Sequence, residues 1–469
     1  MSNFVCMNWT TQNTPPADAL KAYCRPSLND LTALSDAQRA AIQSQLDRKV
    51  TSWVTFHDAD GITAACVVDA DASTAAGRHK FRQAGADLGK LAAELKVDAL
   101  HIDAGDQADI VTEGCALNTY RYQALLGKNA ADAWSLKSLN VVGASEGLAG
   151  LLTAVHETRD LVNAPVLTLN APGLAKRVEA LGQTHGFSVE VLGKSQIEAL
   201  KMGGLLGVNA GSIDPPQFII MEHKPAGANQ EQPIVLVGKG VVYDTGGLSL
   251  KPTAAMDDMK CDMAGSAAVI GTITALAANQ VPLHVIGLVP ATDNRPGGNA
   301  TTPGDVITMM SGHTVEVMNT DAEGRLILAD ALHYAKRYNP ELVIDLATLT
   351  GAAARAIGKQ AMVAMGTDDQ ALRDLTDSGA QVHERVAVFP FWDDYSELLK
   401  SEIADMKNIG GMEAGAITAG KFLEKFTDYP YVHLDIAGPA FLDAPWTYYG
   451  KGATAAGVRL LYHYLTQRV

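Results

Sequence analysis

Ile234-Val235-Leu236-Val237-Gly238-Lys239-Gly240-Val241-Val242-Tyr243-Asp244-Thr245-Gly246-Gly247-Leu248-Ser249-Leu250-Lys251-Pro252 is the stretch whose pattern sets the fold class. Its first four residues form a continuous aliphatic run, which marks a strand covered on both faces, as in a sheet sandwiched between helices. Comparable runs stand at 218–221, 284–289, 315–317, 342–346 and 432–434, with helical patterns at 264–278, 326–337, 418–426 and 454–465. Strands alternating with helices predict an α/β domain. Ligands of such sheets sit beyond the carboxyl ends of strands, so the polar residues that follow each apolar run are the ones to inspect.

Toward the amino terminus the alternation continues with weaker contrast, at 62–68, 78–95, 100–103, 108–126 and 139–142. These segments predict a smaller N-terminal α/β domain over 1–144, within which no chemical motif stands out. Residues 146–163 read as a helix ended by Asn163-Ala164-Pro165, because proline disfavours a helical conformation in the residue before it. The expected organisation is therefore a linker helix over 145–164 and a larger domain over 165–469. A chain of 469 residues exceeds one ordinary core, and two domains is the simplest partition. The stretch 263–292 lacks Asp, Glu, Lys and Arg, but Asn279, Gln280 and Pro282 interrupt it. Its first part falls short of the roughly 20 residues of a spanning helix, so it reads as a buried helix, a turn and a buried strand.

Hydrophobic residues at 47% and charged residues at 19% exclude an intrinsically disordered chain. The formal charge of −15 disfavours a generic grip on nucleic acid or an anionic membrane. Cys6, Cys24, Cys66, Cys115 and Cys261 are scattered without a Cys-x-x-Cys pair, so free thiols in a reducing, cytoplasmic compartment are expected. The first residues show no basic segment followed by an apolar block, and no secretory signal is expected.

Two clusters of polar residues follow strands: Lys239 to Asp262 after 234–237, and Asn319-Thr320-Asp321-Ala322-Glu323-Gly324-Arg325-Leu326 after 315–317. Singly, each residue has a bland reading. Asp244 suits a turn, Asp262 a helix cap, Asp321 and Glu323 the dipole of the next helix, Arg325 a surface ion pair, and Lys239 and Lys251 plain solvation. Jointly, four carboxylates at strand ends among glycines offer the oxygen-rich environment that holds divalent cations. Two metals roughly 3.5–4 Å apart need bridging carboxylates, which Asp244 and Glu323 could provide. The twelve histidines contain no His-Glu-x-x-His, which excludes a thermolysin-like zinc motif.

These motifs, with Met259-Lys260-Cys261-Asp262-Met263, Ala347-Thr348-Leu349-Thr350-Gly351-Ala352 and His433-Leu434-Asp435-Ile436-Ala437-Gly438, make the chain resemble the leucyl aminopeptidase (cytosol aminopeptidase) family of dinuclear metallopeptidases. The resemblance covers roughly 159–461. It implies a catalytic domain built on a central mixed sheet between helices. It further implies a metal-dependent hydrolase that releases N-terminal residues, leucine and other mostly apolar ones, from peptides by attack of a metal-bridging hydroxide on the first peptide carbonyl.

Carried over position by position, the resemblance gives one metal to Asp244, Asp321 and Glu323 and the other to Lys239, Asp244, Asp262 and Glu323, the pair being Mn2+ or Zn2+. Lys239 must then bind unprotonated, which a neighbouring cation permits. Lys251 is implied to contact the substrate carbonyl. Arg325, with Ala322, Gly324 and Leu349, is implied to bind a bicarbonate that shuttles the proton. Met259, Asn319, Thr348, Leu349 and Ala437 would contact the substrate. The resemblance also implies a homohexamer, a dimer of trimers. Ala264-Gly265-Ser266 and Thr245 depart from the commoner family pattern without touching a ligand position.

A serine-hydrolase reading through Ser249 and Lys251 fails because Lys251 stands where Gly-x-Ser-x-Gly needs its last glycine. A phosphate loop at Gly238-Lys239-Gly240 fails on glycine spacing.

Overall fold

A computed structural model describes residues 7–16, 18–49, 52–59, 61–228 and 230–469; Cys6 and the amino-terminal hexapeptide lie outside them. The chain forms two compact units, Met1–Thr153 with Asp443–Gly452, and Ala154–Leu442 with Ala453–Val469.

The first unit contains β1 (Asn8–Thr10), β2 (Leu20–Arg25), α1 (Asp36–Asp47), β3 (Val54–Asp58), β4 (Gly61–Val67), α2 (Ala75–Leu95), β5 (Ala99–Asp103), α3 (Ala108–Thr119) and β6 (Ser138–Val142). Its sheet runs β1-β6-β5-β2-β4-β3, parallel except for the antiparallel β3. α2 and α3 pack so closely that a Cβ on Gly85 would lie 1.9 Å from the Val111 carbonyl oxygen. The helix expected over 108–126 ends at Thr119. There Tyr120 turns extended, with ψ at 134°, and the Arg121 guanidinium takes the carbonyls of Asn118 and Tyr120 at 2.5 and 2.8 Å. The segment 443–452 completes this unit: Tyr448 is buried beneath the Arg82 guanidinium, and its carbonyl accepts from Asn118 Nδ2 at 3.3 Å.

α4 (Leu148–Asn163) carries the chain onward, close to the helix expected over 146–163. Then follow α5 (Ala171–His185), β7 (Ser188–Leu192), α6 (Lys194–Ala199), α7 (Gly203–Asn209), β8 (Gln217–His223), β9 (Ile234–Gly238), β10 (Gly240–Asp244), α8 (Ala264–Ala278) and β11 (Val285–Asn294). The remainder comprises β12 (Val306–Thr308), β13 (Thr314–Glu316), α9 (Gly324–Ala335), β14 (Leu342–Ala347), α10 (Gly351–Ile357), β15 (Met362–Gly366), α11 (Asp369–Val382), β16 (Val386–Val388), β17 (Met406–Lys407), α12 (Gly415–Glu424), β18 (Tyr431–Asp435) and α13 (Val458–Thr466).

The large sheet runs β16-β15-β18-β14-β9-β11-β8-β7, with β10 also paired to β11. It is mixed: β18, β14, β9 and β11 are mutually parallel, whereas β15, β8 and β7 introduce antiparallel pairings. Val235, Val237, Ile286 and Val343 share a buried cluster with Leu326 to Leu332 of α9 and Phe422 of α12. Leu236 and Ile344, alternating with them, point by strand geometry to the opposite face, where α8 packs against β9 and β14. The strand expected to stop at Val289 continues to Asn294, because its polar end Thr292-Asp293-Asn294 is buried and pairs with β10.

α8 is the buried helix expected within 263–292. The apolar stretch Thr253–Ala278 has the length and composition of a membrane span, yet 94% of its most apolar window is buried within the protein. Small residues let α8 lie against the sheet: a Cβ on Gly265 would sit 2.0 Å from the Leu346 carbonyl oxygen. Neighbouring Ser266 donates from its hydroxyl to the Met263 carbonyl at 2.7 Å and from its amide to the Lys239 carbonyl at 2.9 Å. Gly265→Ala is therefore expected to destabilise by on the order of 3 kcal/mol, since backbone must move, while Ser266→Ala costs about 1 kcal/mol. Denaturant unfolding of the two variants checks the ranking, and equal losses would contradict it.

Candidate metal centre

The parallel strands β9, β14 and β18 end on one edge of the sheet, and each delivers a polar residue there. Lys239 follows β9, Thr348 follows β14, and Asp435 closes β18. β10 ends in Asp244 beside Asn294 of β11. Asp262 sits in a short 3-10 helix ahead of α8, and Glu323 precedes the first residue of α9. Neither Asp262 nor Glu323 caps its helix through its side chain, so the capping readings give way to a site.

Asp244, Asp262 and Glu323 each offer an oxygen, all within 4.8 Å of one another, and are 2, 5 and 2% exposed. Lys239, 3% exposed, places its Nζ 2.8 Å from Asp262 Oδ1 and 2.8 Å from Glu323 Oε1, and donates to the Thr348 carbonyl at 3.0 Å. Lys251 Nζ lies 2.8 Å from Asp244 Oδ2 and pairs with Asp321. The solvated-lysine readings are thereby overturned for both residues. Burial alone would push the Lys239 amine down, but Asp262, Glu323 and Asp244 outweigh it and hold it above its ordinary value. Lys251 is likewise raised, against burial, chiefly by Asp244. Burial, followed by the charge of Asp244, pushes Asp321 up to about 6, and burial raises Asp262 well above the usual range.

This donor set fits divalent metal. The oxygens are hard ligands, their mutual repulsion calls for cationic charge, and Asp262 Oδ2 and Glu323 Oε2 are buried without a hydrogen-bond partner among the described residues.

Arg325, expected on the surface as an ion pair in its bland reading, is buried in α9. It donates from Nη1 to the Asn408 carbonyl at 2.6 Å, and its Nε has no partner among the described residues. Burial pulls it down to about 10. Ala322 and Gly324 flank Glu323, the first on the loop and the second as the opening residue of α9. Leu349 and Ala437 are brought together because both amides donate to Asp435 Oδ1, at 3.2 and 3.1 Å. Asn319 Oδ1 accepts from the Asp321 amide at 2.8 Å, and Thr348 Oγ1 donates to Asp262 Oδ1 at 2.8 Å. Met259 opens the 3-10 helix that carries Asp262.

Three residues with no sequence-level role enter here. Asn294 Nδ2 donates to Asp244 Oδ1 at 2.9 Å and to the Thr320 carbonyl at 3.0 Å, so it aims Asp244. Asp435 anchors the loop after β14, also accepting from Thr350 Oγ1 at 2.7 Å. Asn408 holds the loop before α9. Asn294 has a signal in the polar residues that end its strand, and Asp435 lies within His433-Leu434-Asp435-Ile436-Ala437-Gly438; Asn408 has no local signal.

The model of the cytosol aminopeptidase family catalytic domain matches residues 156–462. The chain belongs to this family. It is 54% identical over 314 residues to a probable cytosol aminopeptidase of Chloroherpeton thalassium, covering 66% of this chain and 61% of the relative. A probable cytosol aminopeptidase of Chlorobaculum tepidum is 43% identical over 444 residues, 87% of each chain. Among solved structures, a tomato leucine aminopeptidase variant aligns with TM-score 0.85 at 28% identity, covering 100% of this chain and 98% of that one. The bottromycin maturation enzyme BotP in complex with Mn aligns with TM-score 0.84 at 30% identity, over 97% and 100% of the two chains. The family expected from the motifs, and the mixed α/β architecture it implied, are both found.

Gly324 faces the Lys239 side chain so closely that a Cβ would lie 2.4 Å from its Cε and 2.7 Å from its Nζ. Only a flexible side-chain end obstructs it, and alanine favours a helix over glycine by up to about 1 kcal/mol. Gly324→Ala should therefore fold with near-normal stability yet displace the Lys239 amine and lower divalent-metal affinity. Calorimetric Mn2+ titration beside a thermal melt tests this, and unchanged affinity would count against it.

Proposed function

We propose that the protein is a metal-dependent aminopeptidase that releases N-terminal residues, leucine and other mostly apolar ones, from peptides. The observation that carries this reading is the convergence of Lys239, Asp244, Asp262, Asp321 and Glu323 on one edge of the sheet, with Lys251 beside them. Asp244, Asp321 and Glu323 would hold one divalent ion, and Lys239, Asp244, Asp262 and Glu323 a second, with Mn2+ or Zn2+ the candidates; the Mn complex of BotP supports the first. When bound, such a pair supplies a nucleophile at neutral pH and polarises the first peptide carbonyl.

The chain's own residues do the rest. Lys251, paired with Asp244 and Asp321 on a side chain 15% exposed, would donate to the oxygen that gains charge as the carbonyl is attacked. The Arg325 guanidinium, with Ala322, Gly324 and Leu349, would hold a bicarbonate able to carry the proton lost by the attacking water to the leaving amine; the unpartnered buried Nε of Arg325 supports an anion there. Met259, Asn319, Thr348 and Ala437 would line the first side-chain pocket, and Leu349 would contact the substrate through its backbone. Assembly as a dimer of trimers is part of the proposal, as is a cytoplasmic location, which the relatives' names support.

Exhaustive chelation is expected to abolish cleavage of aminoacyl amides, and amino-terminal acetylation of a peptide to block it; full activity in a preparation shown to hold no metal would defeat the proposal. Light scattering should give six times the subunit mass for active enzyme.

The two lysines should separate. Lys239→Ala is expected to lose occupancy of one metal position. Lys251→Ala should keep both while kcat falls on the order of 10² to 10³-fold, the usual effect of removing one oxyanion donor. Metal stoichiometry and kcat on both variants decide, and the reverse pattern would reassign the roles.

A further inference from the structure

Asn408 lies about 85 residues downstream of the loop that carries Asn319 to Glu323, and it is fully buried. Its position is fixed by the small sheet β12-β13-β17: Glu316 pairs with Lys407, and the Asn408 amide donates to the Glu316 carbonyl at 3.0 Å. From there every polar group of the residue is spent on the loop between β13 and α9 or on its sequel. Oδ1 accepts from the Met318 amide at 2.8 Å and the Asn319 amide at 3.4 Å. Nδ2 donates to the Asn319 carbonyl at 2.7 Å and reaches the Ala322 carbonyl at 3.4 Å. Its main-chain carbonyl takes Arg325 Nη1 at 2.6 Å.

We propose that Asn408 is a positioning residue: its carboxamide clamps the backbone of 318–322, so that Asp321 and Glu323 are held on their metal positions. The inference rests on the metal-centre reading above. Its chemistry is specific to a carboxamide. The loop presents amide donors on one side and carbonyl acceptors on the other, and Asn meets both with one planar group, whereas a carboxylate would face two carbonyls with a second acceptor. An unclamped loop leaves buried backbone groups without partners and frees the two carboxylates that share it. Partners that orient ligands in this way typically cost 10–100-fold in metal affinity or activity when removed.

The test compares Asn408→Ala and Asn408→Asp with wild type in Mn2+ affinity by calorimetry, in kcat and KM on an aminoacyl amide, and in thermal unfolding of the metal-free protein. Asn209→Ala serves as a control, since that buried amide bridges Asp214 and Thr292 within the fold. The expected result is at least a tenfold loss of Mn2+ affinity and of kcat in both Asn408 variants, with the control unchanged in affinity whatever its unfolding temperature. Wild-type affinity and kcat in a folded Asn408 variant would overturn the inference. So would a loss of affinity in Asn209→Ala equal to theirs, which would mark a general structural effect. Should Asn408→Ala fail to fold, the isosteric Asn408→Asp decides. Failure of the metal-centre reading looks different, because wild type itself would then bind no Mn2+.

Discussion

Four carboxylates crowded at the edge of a buried sheet repel one another, and the rest of the catalytic unit is arranged around that repulsion. Burial makes each charge costly, and the protein meets the cost with two lysine amines placed among the carboxylates rather than by spacing them apart. An arrangement that brings Asp244, Asp262 and Glu323 within one cation's reach is difficult to explain as scaffolding alone, since ordinary cores exclude such groups. The groups behind them are equally polar and better satisfied: Asn294 and Thr348 each bond one of these carboxylates, Asn408 the loop that carries two of them, and Asp435 the loop after β14.

The close approach of backbones is what permits this density. Gly238 and Gly265 let α8 press on β9 and β14 until a side chain at either position would strike backbone, and Gly324 lets α9 begin against Lys239. Enlarging Gly238 or Gly265 would push apart backbones that must converge within a few ångströms, whereas at Gly324 an added group would meet only the movable end of Lys239. The first two glycines are therefore a geometric condition of the sheet edge, and the third of the lysine's place on it.

The centre of the larger unit was legible in sequence because β8, β9, β11, β14 and β18 are largely buried and read as apolar runs, and because Lys239, Asp244, Asp321 and Glu323 lie within a few residues of such runs. β7, β12, β16 and β17 are short and only part-buried and leave no such run, and β10, β15, α5, α6, α7, α10 and α11 are likewise absent from the expected elements. Asp262 was legible as a candidate, although a helix cap explained it equally well until the structure showed Thr348 and Lys239 at its oxygen. Asn294 and Asn408 were not legible. Their importance comes from partners far away in sequence, and an isolated asparagine at a strand end looks like a turn residue. The first unit has less contrast, and β1, β2, β3 and α1 are absent from the expected elements, because short strands of mixed residues such as Leu20–Arg25 give little periodicity.

The arm Asp443–Gly452 has a consequence for how the chain is made. Its Tyr448 fills a place in the first unit that Arg82 and Asn118 close over. A ribosome emits the amino-terminal portion first, but that portion lacks a piece of its interior until nearly the whole polypeptide has emerged. The first unit can therefore collapse early yet finish late, and a gene cut after residue 153 would encode it without its last wedge.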